Sequence, residues 1–331
     1  MPANLGRCRC PRPARSAATS VVLASLLLGC ASGADGGAGR GADAPASTRS
    51  SSEPPPSETP TATPTPEPVE LPRGGREIFP RYRLVGYAGG GSEAFGRLGI
   101  GALDERVQEI GQVAQPFAGG REIMPVLELI TVIAHPTPGD DGQYRDRVDG
   151  QVIQTYLDAA RRHDAMLLLN VQPGRADFLA EVQALEKWLV HPDVGLALDP
   201  EWAVGEDEVP GDVYGSATGA ELDGVSAWLD QLVVAHDLPQ KVMVFHQVAG
   251  RVVADQHLLQ PRPGVVAVKS VDGIGSVEDK RKAWDELVRD LPPQIRPGIK
   301  LFYDEDARHG PLMTPEQVLA LPPQPEYVLF E

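Results

Sequence analysis

A short apolar run, Val194–Leu198, ends in the residues with the clearest chemical potential: Asp199, Pro200, Glu201 and Trp202. An aliphatic run of this length, bounded by turn residues, predicts a buried strand. Two carboxylates directly after the strand cannot belong to the hydrocarbon core, because burying an unpaired charge is costly. They must face water, a partner or a ligand, and a carboxylate pair suits general acid–base catalysis.

Strand-like and helix-like segments alternate from Arg83 onward. The predicted strands are Leu84–Tyr87, Met124–Ile133, Met166–Gln172, Gly195–Asp199, Val242–Gln247, Val265–Val271, Gly298–Tyr303 and Tyr327–Phe330. The predicted helices are Asp104–Val113, Val148–His163, Ala176–Leu189, Ala220–His236, a short one near Val252–Leu259, Val277–Leu291 and Thr314–Ala320. Such alternation predicts right-handed crossovers and a parallel sheet. The set matches an α/β fold, a (β/α)8 TIM-like barrel with the last helix absent, over residues 75–331.

The lengths of the connections favour this barrel over the alternative, a doubly wound open sheet. The strand-to-helix connections His135–Arg147 and Trp202–Gly219 are long, whereas helix-to-strand connections such as His191–Asp193 are tight. Barrel enzymes build their sites from the loops after the strands. No GxGxxG phosphate loop follows the first strand, so no cofactor is expected.

Polar residues recur near the ends of six consecutive predicted strands. They are Glu128 on the second, Asn170 and Gln172 on the third, Asp199 and Glu201 on the fourth, His246 on the fifth, Asp272 on the sixth, and Lys300 and Asp304 on the seventh. Residues two apart on a strand share a face, and apolar helices cover the outside of a barrel. These side chains are therefore expected to point into the mouth of the barrel.

A carboxylate-lined barrel mouth suits glycoside hydrolysis, in which one acid protonates the leaving oxygen and a second acts as nucleophile or base. The predicted proton donor is Glu201, with Asp199 raising its pKa by like-charge repulsion. The second carboxylate would be Asp272 or Asp304. The predicted substrate contacts are Glu128, Asn170, Gln172, Trp202, His246, Lys300 and Tyr87. Alternatively, Glu128 and Lys300 pair structurally inside the barrel.

The segment ending in Leu198-Asp199-Pro200-Glu201 resembles the end of the chitinase pattern D-G-x-D-x-D-x-E, although Val194 and Ala197 stand where aspartates belong. More broadly, the chain resembles the glycosidase-like barrel lipoproteins of bacterial surfaces. That resemblance implies a glycan substrate or ligand.

Two other functions remain open. Aromatic residues make up only 5% of the chain, and sugar clefts usually stack on aromatics, so a non-catalytic glycan- or wall-binding barrel is one alternative. The other is a metal-dependent hydrolase using Glu128, Asp199, His246 and Asp272. The first strand carries no His-x-His, which disfavours the metal-dependent version, and no metal is expected.

The N-terminal 29 residues predict export. Four arginines precede an apolar core, Val21–Leu28, that is too short for a permanent membrane span. Leu27-Leu28-Gly29-Cys30 resembles the lipobox of bacterial lipoproteins. The resemblance implies cleavage before Cys30, a lipid on that cysteine, and attachment to the outer face of the cytoplasmic membrane. An ordinary secretory signal with an incidental cysteine is the alternative.

Composition narrows the remaining possibilities. Residues 30–74 are rich in Gly, Ala, Pro, Ser and Thr without apolar periodicity, which predicts a disordered tether. After the leader, 26 basic residues face 46 acidic ones, because four of the 30 basic residues lie in the leader. This acidic balance argues against nucleic acid as a partner. No cysteine follows Cys30, so the folded domain has no disulfide and no thiol nucleophile.

Overall fold

Eight parallel strands close into a barrel in the computed structural model, which describes residues 68–331. The strands are β1 (Tyr82–Gly89), β2 (Glu122–Ala134), β3 (Met166–Val171), β4 (Val194–Leu198), β5 (Lys241–Gln247), β6 (Val265–Val271), β7 (Ile295–Leu301) and β8 (Tyr327–Phe330). Each strand pairs with its neighbour in sequence, and β1 pairs with both β2 and β8. This closure confirms the predicted barrel and excludes the open sheet.

Helices follow most of the strands, as expected for the fold. They are α1 (Leu103–Val113), α2 (Gly150–Arg162), α3 (Phe178–Gln183), α4 (Glu186–Leu189), α5 (Gly219–Ala235), α6 (Val277–Val288), α7 (Tyr303–Ala307) and α8 (Pro315–Leu319). Side-chain caps at Asp149, Thr218, Ser276 and Thr314 satisfy free N–H groups at four of their starts. Only Glu331 follows β8 in this sequence.

Two predicted helices differ from the structure. The segment Ala176–Leu189 forms two short helices, α3 and α4, instead of one. The segment near Val252–Leu259 is not an α-helix, because Val253–Ala254 pairs as a short strand with Ala217–Thr218 and two 3-10 turns flank it. Asp255 has a left-handed backbone with φ of 50°, which a helix does not accommodate.

The barrel interior is apolar away from the C-terminal ends of the strands. Even-numbered residues of β1, β2 and β3 point inward, among them Leu84, Val126 and Leu168, and all three are buried. Gly195 of β4 belongs to this layer. A Cβ there would lie 2.6 Å from Leu168 and 2.8 Å from Val242, so only glycine leaves room for its neighbours. Because this apolar layer is closely packed, the polar side chains of the barrel interior lie at the C-terminal ends of the strands.

The chain before β1 closes the opposite end of the barrel. Leu71, Ile78 and Phe79 join the interior apolar cluster, and the Tyr82 hydroxyl donates to the carbonyl oxygen of Arg73 at 2.6 Å. The packed domain therefore begins a few residues before the boundary at 75 that composition indicated. Leu71 lies within a stretch whose composition alone suggested a tether.

The leader, Cys30 and most of the predicted tether fall outside the described residues. Within residues 68–331, no helix is both long and apolar enough to cross a membrane.

We predict that Val244→Ala, inside the barrel, lowers the free energy of unfolding by about 2 kcal/mol through lost burial and an unfilled cavity. The same substitution at Val234, whose exposure is 75%, is the matched control and should change it by no more than about 0.5 kcal/mol. Urea denaturation measures both. Equal effects at the two positions would contradict the packing described for the interior.

Candidate active site

A cavity of ≈ 200 Å³ opens at the C-terminal ends of the strands. Eight of the residues predicted from the sequence line it: Glu128, Asn170, Gln172, Asp199, Glu201, Trp202, Asp272 and Lys300. This volume is below the roughly 300–1,000 Å³ of pockets that bind drug-sized ligands, so the cavity has room for one small polar group such as a single sugar ring. The strand alternation thus brings the predicted polar groups of β2, β3, β4, β6 and β7 around one hollow.

His246 of β5 lies among these groups but beneath the cavity, fully buried. Its Nδ1 is 2.7 Å from Asp272 Oδ2, and its Nε2 is 2.9 Å from Glu128 Oε1. Burial alone would lower the pKa of His246, but the carboxylates of Asp272 and Glu128 raise it well above its usual value. His246 is therefore an imidazolium that joins two carboxylates. Its full burial corrects the expectation that it contacts substrate.

Glu128 is held by neutral donors as well as by His246. The Tyr327 hydroxyl donates to its Oε2 at 2.6 Å, and Asn170 Nδ2 donates to its Oε1 at 2.9 Å. Burial alone would raise the pKa of Glu128, but the charge of His246 lowers it below its usual value. Glu128 consequently stays ionised, and its close partner is His246 instead of the predicted Lys300.

Asp272 is a second carboxylate of the site whose pKa is lowered. Ser270 Oγ donates to its Oδ1 at 2.6 Å, while Lys300 Nζ is 3.5 Å from its Oδ2. Burial would raise the pKa of Asp272, but His246 and Lys300 lower it to about 2. Lys300 also pairs with Glu331, at the rim.

Asp199 and Glu201 are much less engaged. Gln172 Nε2 donates to Asp199 Oδ2 at 3.2 Å. Within residues 68–331, Asp199 Oδ1 and Glu201 Oε2 are buried without any hydrogen-bond donor. Burial, then the charges of Asp199 and Asp272, raises the pKa of Glu201 to about 8. Glu201 is therefore protonated at neutral pH, while Asp272 is ionised.

Glu201 lies in a 3-10 turn, Pro200–Trp202, just beyond β4. The loop that follows this turn comes back to it at Gly215 and holds its backbone in place. The Gly215 N–H donates to the Glu201 carbonyl oxygen at 2.7 Å. A Cβ on Gly215 would overlap the carbonyl oxygen of Ala203, so this close return requires glycine. The loop holds the carboxyl group at the edge of the cavity.

Tyr87 does not reach the cavity, which corrects its predicted role. It has odd parity on β1 and packs outward against α1, where its hydroxyl donates to Glu109 at 3.0 Å. Its neighbour Ala88 has the inward parity and lines the cavity. The alternation along β1 places the side chain of Tyr87 on the outer face of the barrel.

Asp304 is also corrected. β7 ends at Leu301 and α7 begins at Tyr303, so the two-residue alternation from Lys300 stops at Phe302. Asp304 is exposed in the first turn of α7. Phe302 and Glu331 line that side of the cavity instead.

Sequence reasoning missed three members of the site: Ser270, Tyr327 and Glu331. Each had a usable signal, because Ser270 is two residues before Asp272 and Tyr327, Leu329 and Glu331 share one parity on β8. Applying the alternation to whole strands, and not only to their last residues, identifies all three.

The predicted metal ligands come together as ion pairs. Both ring nitrogens of His246 face carboxylates, and no group of three His, Cys, Asp or Glu residues in the described chain is arranged to hold a metal ion.

No protein-family model matches the chain, and no curated protein matches it significantly in sequence. The solved structure of a hyperthermophilic endo-beta-1,4-glucanase in complex with substrate is similar over 75% of this chain and 87% of that one. The sequence identity is 8% and the TM-score is 0.41. At this level of similarity, nothing about chemistry transfers to this chain.

We predict that His246→Gln lowers the free energy of unfolding at pH 6 by about 3–5 kcal/mol, because two buried carboxylates lose their countercharge. His257→Gln, at an exposed position, is the control and should stay within about 0.5 kcal/mol. Because the folded pKa of His246 is raised, its stabilisation is complete below the unfolded value of about 6.5 and declines as pH rises toward the folded pKa. A loss under about 1 kcal/mol would show that the imidazole is not charged.

Proposed function

We propose that this barrel is a glycoside hydrolase with Glu201 as its general acid. One observation carries the proposal: Glu201 has a pKa near 8 and presents a buried, unpartnered Oε2 at a polar cavity. A carboxylic acid that keeps its proton at neutral pH can give it to a leaving oxygen. The ionised Asp272, which lines the same cavity, is the complementary charge.

The reaction follows from these two protonation states. Glu201 donates its proton to the glycosidic oxygen as the bond to the anomeric carbon breaks. Asp272 stabilises the positive charge that develops on the sugar ring, and acts either as nucleophile or as the base that activates water. Burial, and then the carboxylate of Asp199, keeps Glu201 protonated in the resting site, although burial raises the pKa of Asp199 as well. His246 and Lys300 keep Asp272 ionised.

A catalytically silent glycan-binding barrel is the second candidate. It is favoured by the engagement of Asp272, whose two oxygens meet Ser270, His246 and Lys300 and so lose nucleophilicity. Such a barrel would retain the cavity and its binding groups but would show no turnover.

We predict that Glu201→Gln lowers kcat on a hydrolysable glycan by about 10²–10⁴-fold, because the amide carries no acidic proton. Wild-type activity should fall as pH rises through about 8, when Glu201 loses its proton. Activity should not fall between pH 7 and pH 5, because Asp272 stays ionised over this range, which lies roughly three or more pH units above its pKa. Release of reducing ends from a panel of wall and capsule glycans measures both effects.

Glu206→Gln is the matched control, because Glu206 is exposed and does not line the cavity. It should leave kcat unchanged. The melting temperature of Glu201→Gln should not fall, since a neutral amide replaces a neutral carboxylic acid of the same shape. Full activity in Glu201→Gln would refute the assignment. Binding without turnover, equal in wild type and Glu201→Gln, would support the silent barrel.

We also propose that the protein is exported and held at the extracytoplasmic face of the cell membrane through a lipid on Cys30. The support is the leader sequence, with its basic start, short apolar core and Leu27-Leu28-Gly29-Cys30. The acyl chains would anchor the cysteine while the following residues space the barrel from the bilayer.

We predict that the wild-type chain incorporates radiolabelled palmitate and fractionates with membranes, whereas Cys30→Ser does neither. Cys10→Ser is the control, because Cys10 precedes the predicted cleavage point, and it should label normally. Labelling that persists in Cys30→Ser would refute the anchor.

A further inference from the structure

Apart from the carboxylic acid of Glu201, whose proton the proposed reaction gives to the leaving oxygen, the buried side-chain donors around the cavity already lie against acceptors. Asn170 Nδ2 and Tyr327 Oη donate to Glu128, Gln172 Nε2 donates to Asp199, and Ser270 Oγ donates to Asp272. Lys300 Nζ pairs with Glu331 and Asp272. A ligand that needs donors from this site would therefore have to break existing bonds. Beyond the one oxygen that Glu201 can protonate, the site is poorly suited to a ligand that brings acceptors.

Apart from the protonated Glu201, the buried atoms that line the cavity without a partner are acceptors. Asn170 Oδ1 and Asp199 Oδ1 have no hydrogen-bond partner within residues 68–331, and the two residues are only 2% and 5% exposed. The orientation of the Asn170 amide is fixed, because its nitrogen must face the ionised Glu128 at 2.9 Å. Leaving buried acceptors unpaired is unfavourable, so a fitting ligand brings N–H or O–H groups to both.

The site also carries a surplus of negative charge. The carboxyl groups in and beneath the cavity are Glu128, Asp199, Glu201, Asp272 and Glu331, and the cationic groups are His246 and Lys300. Even with Glu201 protonated, carboxylates outnumber cations. Sugar hydroxyls would satisfy the free acceptors without offsetting this charge, an acidic sugar would add to it, and an ammonium group would do both tasks.

We propose that the cavity binds a sugar unit carrying a free, protonated amino group, and that Asp199 Oδ1 and Asn170 Oδ1 accept its N–H bonds. This inference rests on the proposed glycan-directed function and narrows its substrate class to amino sugars that are not N-acetylated. An N-acetyl group has one N–H, carries no charge, and occupies more of a cavity of ≈ 200 Å³.

Calorimetric or NMR titration of the full chain at pH 6.5 tests the proposal with six probes: glucosamine, galactosamine, N-acetylglucosamine, glucose, glucuronate and ethanolamine. At least one of the two free amino sugars should bind about tenfold or more tighter than glucose and N-acetylglucosamine, as one charge-assisted bond provides. Glucuronate should bind most weakly. Ethanolamine should bind more weakly than the preferred amino sugar.

Asp199→Asn keeps the shape of the side chain and removes its charge, so it should abolish the tenfold preference while glucose still binds. Asp304→Asn is the matched control, because Asp304 is exposed on α7, and it should keep the preference. Should Asp199→Asn not fold, the wild type provides a second test. Glucosamine affinity should fall between pH 6.5 and pH 9, as its ammonium loses a proton, without a parallel fall for glucose.

Equal affinities for glucose and both amino sugars would overturn the inference, and so would a preference that survives Asp199→Asn. Ethanolamine binding as tight as the preferred amino sugar would overturn the sugar part. If hydrolysis still depends on Glu201 in those cases, only this inference fails and the proposed function stands. Absence of both sugar binding and hydrolysis would overturn the two together.

Discussion

A buried imidazolium between two carboxylates is the interaction on which the upper half of the barrel depends. His246 joins Asp272 and Glu128 on opposite sides of its ring, and Asp199 Oδ1 lies 3.8 Å from Nε2. Removing charges from water costs several kcal/mol for each ion, so neither carboxylate would remain ionised there alone. The countercharge allows acidic groups to occupy a barrel interior that is otherwise hydrocarbon.

This balance leaves the site asymmetric. Asp272 sits between His246 and Lys300 and keeps a low pKa, whereas Glu201 is close to Asp199 and Asp272 and keeps its proton. Two carboxyl groups of similar intrinsic acidity thus reach opposite protonation states within one cavity. That separation is the general requirement for acid and base roles at one pH. Here it arises from the burial of Glu201 beside like charges and from the two cations beside Asp272.

The sequence was sufficient to predict the barrel and eight of the side chains that line its cavity, for reasons visible in particular residues. Short aliphatic runs such as Val194–Leu198 have few alternatives to a buried strand, and the period of two then places Asn170, Asp199 and Lys300 on the inner face. The same rule failed for Asp304, because the start of α7 at Tyr303 depends on local contacts such as the bond from Phe302 N–H to Asp306. The sequence pattern likewise did not predict that the segment Ala176–Leu189 divides into two helices.

By itself the sequence determined which side chains point inward and that acids cluster at one end of the strands, because alternation is a property of the chain. Only the tertiary structure decided which of those acids are neutralised. Partners such as His246 with Glu128, or Tyr327 with Glu128, are separated by more than 100 residues and meet only when the barrel closes. A pKa depends on distance and burial, and the order of residues along a chain contains neither.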